Sequence, residues 1–447
     1  MRVLVIGAGE VGSYVAGRLS REGNDVVVVD QSRRRLREID ESIDVMTVLG
    51  SGSSPKVLNE AAVDRADLCV ALTDDDEVNL LACMQARAAG VPRTVARLES
   101  GDLRGRSGLE VRATMGVDLV IDPDEEIAGE ILDLLGYQGA SDVHEMASGE
   151  VLLIGARLQK DAPIVGRRVS DIGREYGPNW DFIFGTLTRE GSTVVMRQDH
   201  VLAEHDLLRV VSKRRGKSEL MELLGLKRNR LRKVMLLGGG RTAQILAQRL
   251  GAKGVEVVIV DRDVERCQEL SECLPGALVL HGDITEVDLL LEENIGSFDS
   301  VVALTGEDDA NILACLFAKA EGAAETIAVV HRLGLLSLLD QVGIDAALSP
   351  RTASANSVLR FVRGDVAQVA TFLDGEVEVI EFEVQPGTRA CDATVSDLHL
   401  PNDVLVAAIV RDGKAEIARG RSALRVRDHV IVFALPHMVD KVHEAFG

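Results

Sequence analysis

The chain opens on short, continuous apolar runs separated by stretches of helical periodicity. Val3 to Ile6 comes first, then an amphipathic stretch from Val11 to Arg21, then VVVVD ending at Asp30. Apolar residues return around Val45 to Leu49 and in LCVALT ending at Thr73, and a second amphipathic stretch runs from Glu77 to Ala89. Unbroken β-branched runs suit strands buried on both faces, so the pattern predicts a parallel sheet flanked by helices.

The same rhythm restarts at Arg232 with KVMLLGGGRTAQILAQRL, VVIVD ending at Asp261, LVLHGD around Gly282 and VVALT ending at Thr305. Gly7 recurs as Gly238 and Asp30 as Asp261, while Thr73, Asn79 and Cys83 recur one position later in register as Thr305, Asn311 and Cys315. Val169-Ser170-Asp171-Ile172 recurs as Val395-Ser396-Asp397-Leu398, each ahead of strand-like runs ending in LLRVV or HVIVF. The chain therefore reads as a duplication: two Rossmann-type, doubly wound α/β domains, each followed by a small α+β lobe. The expected boundaries are 1–140, 141–217, 218–368 and 369–447, with the basic run Lys213, Arg214, Arg215, Lys217 taken as a solvated linker.

Composition narrows the function. Acidic residues outnumber basic ones by 71 to 50, giving a net charge of −21 that opposes nucleic acid and anionic lipid, and 3% aromatics leave little for base stacking. The six cysteines form no CxxC pair, so no metal site is expected and a reducing cytosol fits best. Met1 leads straight into a strand, so no leader is expected, and the apolar runs fall short of the roughly 20 residues a membrane span needs. Any membrane connection is expected to run through a partner.

The candidate chemistry lies in the glycine loops. Gly7-Ala8-Gly9-Glu10-Val11-Gly12 follows a strand, opens a helix and is trailed by Asp30 at the end of the next strand. In that context the glycines permit a tight turn, backbone approach to a pyrophosphate and close helix–strand packing. A carboxylate at Asp30 suits ribose hydroxyls and repels a 2′-phosphate, which favours NAD(H). The second copy offers Gly238-Gly239-Gly240-Arg241-Thr242-Ala243 with Asp261, and Arg241 is either a phosphate-side cation or a solvated side chain.

Ligands of open α/β sheets sit at the carboxyl ends of the strands, which adds Ser51, Leu72-Thr73 and Arg97 in the first copy and Asp283, Leu304-Thr305 and Arg332 in the second. Arg97 and Arg332 are each expected to end a strand. Thr73 and Thr305 serve either as helix N-caps or as ligand contacts. The nine histidines form no recurrent pair with a supporting carboxylate, and the P-loop, GxSxG and HExxH signatures are absent, so no catalytic residues are assigned.

The ordered series GAGEVG, VVVVD, TDDDEVNLLACMQA, VSDI, GGGRTA, VVIVD, TGEDDANILACLFAKAEGA and VSDL resembles the TrkA family of potassium uptake systems, built from two regulator-of-potassium-conductance (RCK) domains. The resemblance spans essentially the whole chain. It implies a cytoplasmic, non-enzymatic regulator that binds NAD(H), with ATP or ADP as further candidates. It also implies a homo-oligomeric ring, expected to be tetrameric, held at the inner face of the membrane by an integral potassium-translocating subunit of the TrkH or TrkG kind. Carried over by position, the contacts fall on Gly7, Ala8, Gly9, Glu10, Val11, Asp30, Leu72, Thr73 and Arg97, and on Gly238, Gly239, Gly240, Arg241, Thr242, Asp261, Leu304, Thr305, His331 and Arg332. The family's Gly-Asp after the third strand is kept at Gly282-Asp283 but becomes Gly50-Ser51 in the first copy. The competing readings are an NAD-dependent oxidoreductase and a regulatory module of a different cation channel or efflux system.

Overall fold

The computed structural model describes residues 1–99, 114–177, 180–226, 231–362, 368–371 and 377–446. The chain divides into two compact units, Met1–Ile127 with Pro350–Gly364, and Ala128–Ser349 with Asp365–Gly447.

Among its described residues the first unit holds one sheet of six strands: β1 (Arg2–Ile6), β2 (Asp25–Asp30), β3 (Met46–Leu49), β4 (Leu68–Ala71), β5 (Arg93–Arg97) and β6 (Leu119–Ile121). Their order is β3-β2-β1-β4-β5-β6, with every pairing parallel. The order reverses between β1 and β4, the switch point where such sheets open a crevice. Both faces of β1 are covered: Val3 and Val5 pack on one side, Leu4 and Ile6 on the other. That two-sided burial is why these strands read as continuous apolar runs.

One helix departs from the sequence reading. Residues Pro350–Val362 form a helix that puts Ala355, Val358, Leu359 and Val362 into the core of the first sheet beside Val11, Val15 and Leu19. The expected boundary at 368 assigns this segment to the second Rossmann domain instead. An amphipathic helix declares that it needs a sheet, but not which one.

Among the described residues the second unit carries three sheets. β7 (Ala140–Met146), β8 (Val151–Arg157), β9 (Phe182–Arg189), β10 (Ser192–Val195) and β11 (Leu207–Lys213) form an antiparallel sheet ordered β10-β9-β11-β8-β7. A second parallel Rossmann sheet follows, with β12 (Lys233–Leu237), β13 (Glu256–Asp261), β14 (Ala277–His281), β15 (Ser300–Ala303), β16 (Thr326–Val329) and β17 (Ala346–Leu348) ordered β14-β13-β12-β15-β16-β17. The last sheet holds β18 (Gln368–Thr371), β19 (Glu378–Glu383), β20 (Val404–Arg411), β21 (Lys414–Ile417) and β22 (His429–Ala434), ordered β18-β19-β22-β20-β21. Read from the other end, this is the topology of the first small lobe.

The duplication extends to buried ion pairs. Arg189 grips the fully buried Asp206 through Nε at 2.7 Å, and Arg411 grips Asp428 through Nε at 2.8 Å. The two small lobes pack together: Met146, Val151, Leu153 and Val211 share a core with Val379, Ala408, Ile431 and Phe433. Gly185 is required there, because a Cβ would stand 2.1 Å from the Phe433 ring. The buried Glu381 carboxylate spans the joint, accepting the Ala147 N–H at 2.8 Å and meeting His429 Nδ1 at 2.8 Å.

The basic run is not a free linker. Lys213 and Arg215 both pair with Asp181, at 3.0 and 2.8 Å, and Lys217 Nζ lies 3.5 Å from the Tyr137 ring centre at the start of a helix, Lys217–Leu223. Charge in the sequence suggested solvent, whereas one carboxylate in the preceding loop organises it.

Candidate functional site

Each Rossmann sheet presents its switch-point crevice beside a glycine loop. In the first, Gly7 has φ +104° between β1 and the helix Glu10–Arg21, and Gly12 allows the loop to lie against that helix, since a Cβ there would meet the Gly7 carbonyl oxygen at 1.9 Å. Gly238 repeats the turn with φ +111° ahead of the helix Arg241–Ala252, with Ala243 buried in the third position. Added Cβ atoms at Gly9 and Gly240 would meet nothing within 4 Å, so this part of each loop faces open space. Each helix begins there, with its first N–H groups and positive dipole end toward that space.

The strand-end carboxylates brace these loops. Asp30 accepts the Ala8 N–H through Oδ2 at 2.6 Å and the Ser32 N–H through Oδ1 at 2.6 Å. Asp261 does the same with Gly239 N–H at 2.5 Å and Asp263 N–H at 2.8 Å. A carboxylate oxygen has two lone pairs, so each oxygen keeps one acceptor position beyond this bracing.

The opposite wall is organised by two residues that the sequence reading used only as landmarks. Asn79 is fully buried in the helix Asp76–Ala88. Its Oδ1 accepts the Thr73 N–H at 3.0 Å and the Thr73 hydroxyl at 2.7 Å, and its Nδ2 donates to the Thr73 carbonyl at 3.0 Å and the Arg97 carbonyl at 2.9 Å. Asn311, fully buried in the helix Asp308–Glu321, makes the same four bonds to Thr305 and to the Val329 carbonyl. A buried asparagine inside an otherwise apolar helical run, present in both copies, was the available signal.

Two expectations change. Thr73 and Thr305 are not the N-caps: those positions belong to Asp75, which accepts the Val78 N–H at 2.9 Å, and to Glu307. The threonine hydroxyls instead receive the Asp75 and Glu307 N–H groups at 3.3 and 3.2 Å while donating to the asparagines. Arg97 and Arg332 are also not equivalent. Arg97 ends β5 at the position that Val329 holds at the end of β16, whereas Arg332 lies beyond the strand as the N-cap of the helix Leu333–Val342.

The guanidinium of Arg97 pairs with Glu99. His331 and Arg332 converge on the buried Asp308, through His331 N–H at 2.8 Å and Nδ1 at 3.1 Å, and through Arg332 N–H and Nε at 3.0 Å each; Arg332 also pairs with Asp309. Burial alone would raise the Asp308 pKa, but these hydrogen bonds hold it at about 2.

In the second copy a cleft of about 470 Å³ is walled by Gly238, Gly239, Gly240, Asp261, Asp283, Leu304 and Thr305, and Arg262 and Glu307 pair across it at 2.7 Å. Among the described residues, its walls do not include Arg241, Thr242, His331 or Arg332. The Asp283 carboxylate, lowered in pKa first by the Thr285 N–H and then by the Thr285 hydroxyl, closes a tight turn after β14. Ser51 holds the corresponding turn after β3 through Ser53, with 2.8 Å between hydroxyls, so the first copy lacks that charge. Leu72 is buried behind Thr73, and Glu10 and Val11 begin the first loop's helix.

All six cysteines are free; Cys83 and Cys315 are buried and donate to the Val95 and Ile327 carbonyls at 3.4 Å. Among the described residues no group of histidine, cysteine and carboxylate side chains could hold a metal, and no helix is long and apolar enough to cross a membrane.

Residues 3–130 and 234–350 match the TrkA-N domain, and residues 379–447 match the TrkA-C domain. The chain is 33% identical over 441 residues to the Trk system potassium uptake protein TrkA of Halomonas elongata, covering 97% of this chain and 96% of the relative. It is 33% identical to TrkA homolog 1 of Methanosarcina mazei over 455 residues, covering both chains completely. Among solved structures, the crystal structure of the GsuK RCK domain is similar with a TM-score of 0.61 at 18% identity, covering 100% of this chain and 94% of that one. The GsuK channel bound to NAD has a TM-score of 0.62 at 18% identity, covering 100% and 78%. At that identity the likeness bears on the fold.

Proposed function

The chain belongs to the family of the Trk system potassium uptake protein TrkA, and from that premise we propose that it is a cytoplasmic regulatory subunit whose two Rossmann clefts bind NAD(H), or ADP or ATP, to gate a membrane potassium-translocating partner. One observation carries the nucleotide part: in both copies a strand-end aspartate is locked to the glycine loop, with acceptor positions left for ribose hydroxyls beside a helix N-terminus suited to phosphate. The same carboxylates disfavour a 2′-phosphate. A structural neighbour, the GsuK channel, binds NAD, which is consistent with this reading.

We read the clefts as binding without turnover. The buried amides behind the threonine loops, Asn79 and Asn311, spend their whole hydrogen-bonding capacity on holding those loops. Gating then requires that the nucleotide bind one arrangement of the lobes more tightly than another, with the differential affinity supplying the bias.

Potassium uptake by cells that lack this chain, but keep the membrane subunit, tests the assignment. Wild-type chain should restore uptake, and Asp261→Ala at equal protein level should alter it. Equal uptake with both would contradict control through the second cleft. Production or loss of reduced nicotinamide on incubation with candidate substrates would instead favour the oxidoreductase reading.

A further inference from the structure

The loops of the two clefts differ in one charge. Glu10 stands in the first loop where Arg241 stands in the second. By the physics that places a pyrophosphate at the helix N-terminus, Glu10 puts a carboxylate where an anion should sit, on the opening residue of the helix Glu10–Arg21. A carboxylate a few ångströms from a phosphate is repulsive unless another charge offsets it.

That offset is present. Arg351, the second residue of the helix Pro350–Val362, forms an ion pair with Glu10. The Arg351 side chain is only 17% exposed while that of Glu10 is 60% exposed, so the arginine is the anchored member and the glutamate the movable one. The helix that brings it is fixed in the first core through Ala355, Val358, Leu359 and Val362. The opening of the equivalent earlier helix reverses the sign too: Asp124 follows Pro123 where Arg351 follows Pro350. The first copy therefore carries an anion at both positions and the second a cation at both, and the Pro350–Val362 helix brings one of those cations to the first copy's Glu10.

We infer that Arg351 supplies the phosphate-facing positive charge of the first cleft, making that cleft selective for nucleotides that carry a pyrophosphate over the bare nucleoside. This rests on the nucleotide reading proposed above. An arriving diphosphate displaces the exposed Glu10 carboxylate and takes its place on the guanidinium, whose planar fork suits phosphate oxygens. In the second copy the cation at the matching position, Arg241, opens the glycine loop's own helix. The first cleft thus takes a binding residue from a part of the chain that lies, in sequence, directly after β17 of the second Rossmann sheet.

The test is calorimetric titration of the full chain with ADP and with adenosine, in an Asp261→Ala background that weakens the second cleft. Arg351→Gln should lower ADP affinity roughly tenfold while adenosine changes by less than about twofold, the split expected when a charge-assisted phosphate contact is lost. Glu10→Gln, on an exposed side chain that can be replaced without disturbing the core, should raise ADP affinity and leave adenosine unchanged. ADP affinity unmoved by both substitutions, while Asp30→Ala abolishes ADP binding, would overturn the inference and leave the nucleotide reading standing. ADP binding unmoved by Asp30→Ala as well would overturn both.

Discussion

Asn79 and Asn311 each satisfy two donors and two acceptor positions with partners fixed by the backbone, so the orientation of the amide is set by its network. Replacing either with alanine strands a threonine N–H and a strand-end carbonyl in buried surroundings, at an expected cost of about 2–3 kcal/mol, and should loosen the threonine loop of that cleft. Urea unfolding checks the first effect and nucleotide titration the second; a loss below about 0.5 kcal/mol with unchanged binding would refute the role. Asp308 gives a separate signature. Its folded pKa of about 2 lies below its ordinary value of 3.8, so its contribution is present above 3.8 and is lost as pH falls through about 2. The duplication made Asn79 visible as a repeated position, but nothing local says that its partner is a carbonyl 18 residues on. Arg97 and Arg332 misled for a related reason: identical side chains suggested equivalence, whereas the strand ends align Arg97 with Val329.

At the scale of elements, the duplication and the two parallel sheets were legible because burial on both faces leaves unmistakable apolar runs. What the helices pack against was not. The Pro350–Val362 helix has the small, apolar surface of a packed helix, and only the structure assigns it to the first sheet. The joint between the small lobes is another such case, since Gly185 and Phe433 are unremarkable alone and complementary together. Phe433→Ala should destabilise the second unit by about 3–5 kcal/mol, the range for emptying an aromatic site in a core, and a midpoint of unfolding equal to wild type would exclude it from that core. Glu325 just ahead of β16 predicts a pH effect. Burial raises its pKa from 4.5 to about 7, with the Asp345 carboxylate adding to the rise and Ser300, the Gly139 N–H and Lys319 opposing it. A raised carboxylate stabilises the fold fully below 4.5 and loses that contribution as pH climbs through about 7, on the order of 3 kcal/mol for a shift of this size. Glu325→Gln should therefore flatten the decline in melting temperature between mildly acidic and mildly alkaline buffer. An undiminished decline in the variant would place the titrating group elsewhere.

The whole molecule is expected to work as one of several copies. In the first unit Leu81 and Met84 stand exposed on the helix Asp76–Ala88, and in the second Leu313 is 63% exposed at the matching place on the helix Asp308–Glu321. Apolar side chains at the same place in both copies fit surfaces that a homo-oligomer covers. Light scattering should return a multiple of the 48.1 kDa chain mass, reduced by Leu313→Asp, and a monomer for wild type at micromolar concentration would contradict the ring. Everything proposed for gating depends on the two clefts being nucleotide sensors. Calorimetric titration of the full chain with NADH, NAD, ATP and ADP, repeated on Asp30→Ala and Asp261→Ala, addresses that directly. Saturable binding is expected, weakened at the cleft whose aspartate is removed and unaccompanied by turnover. Absence of binding by all four, or binding indifferent to both substitutions, would contradict the sensor assignment and leave the Rossmann domains as scaffolds for assembly.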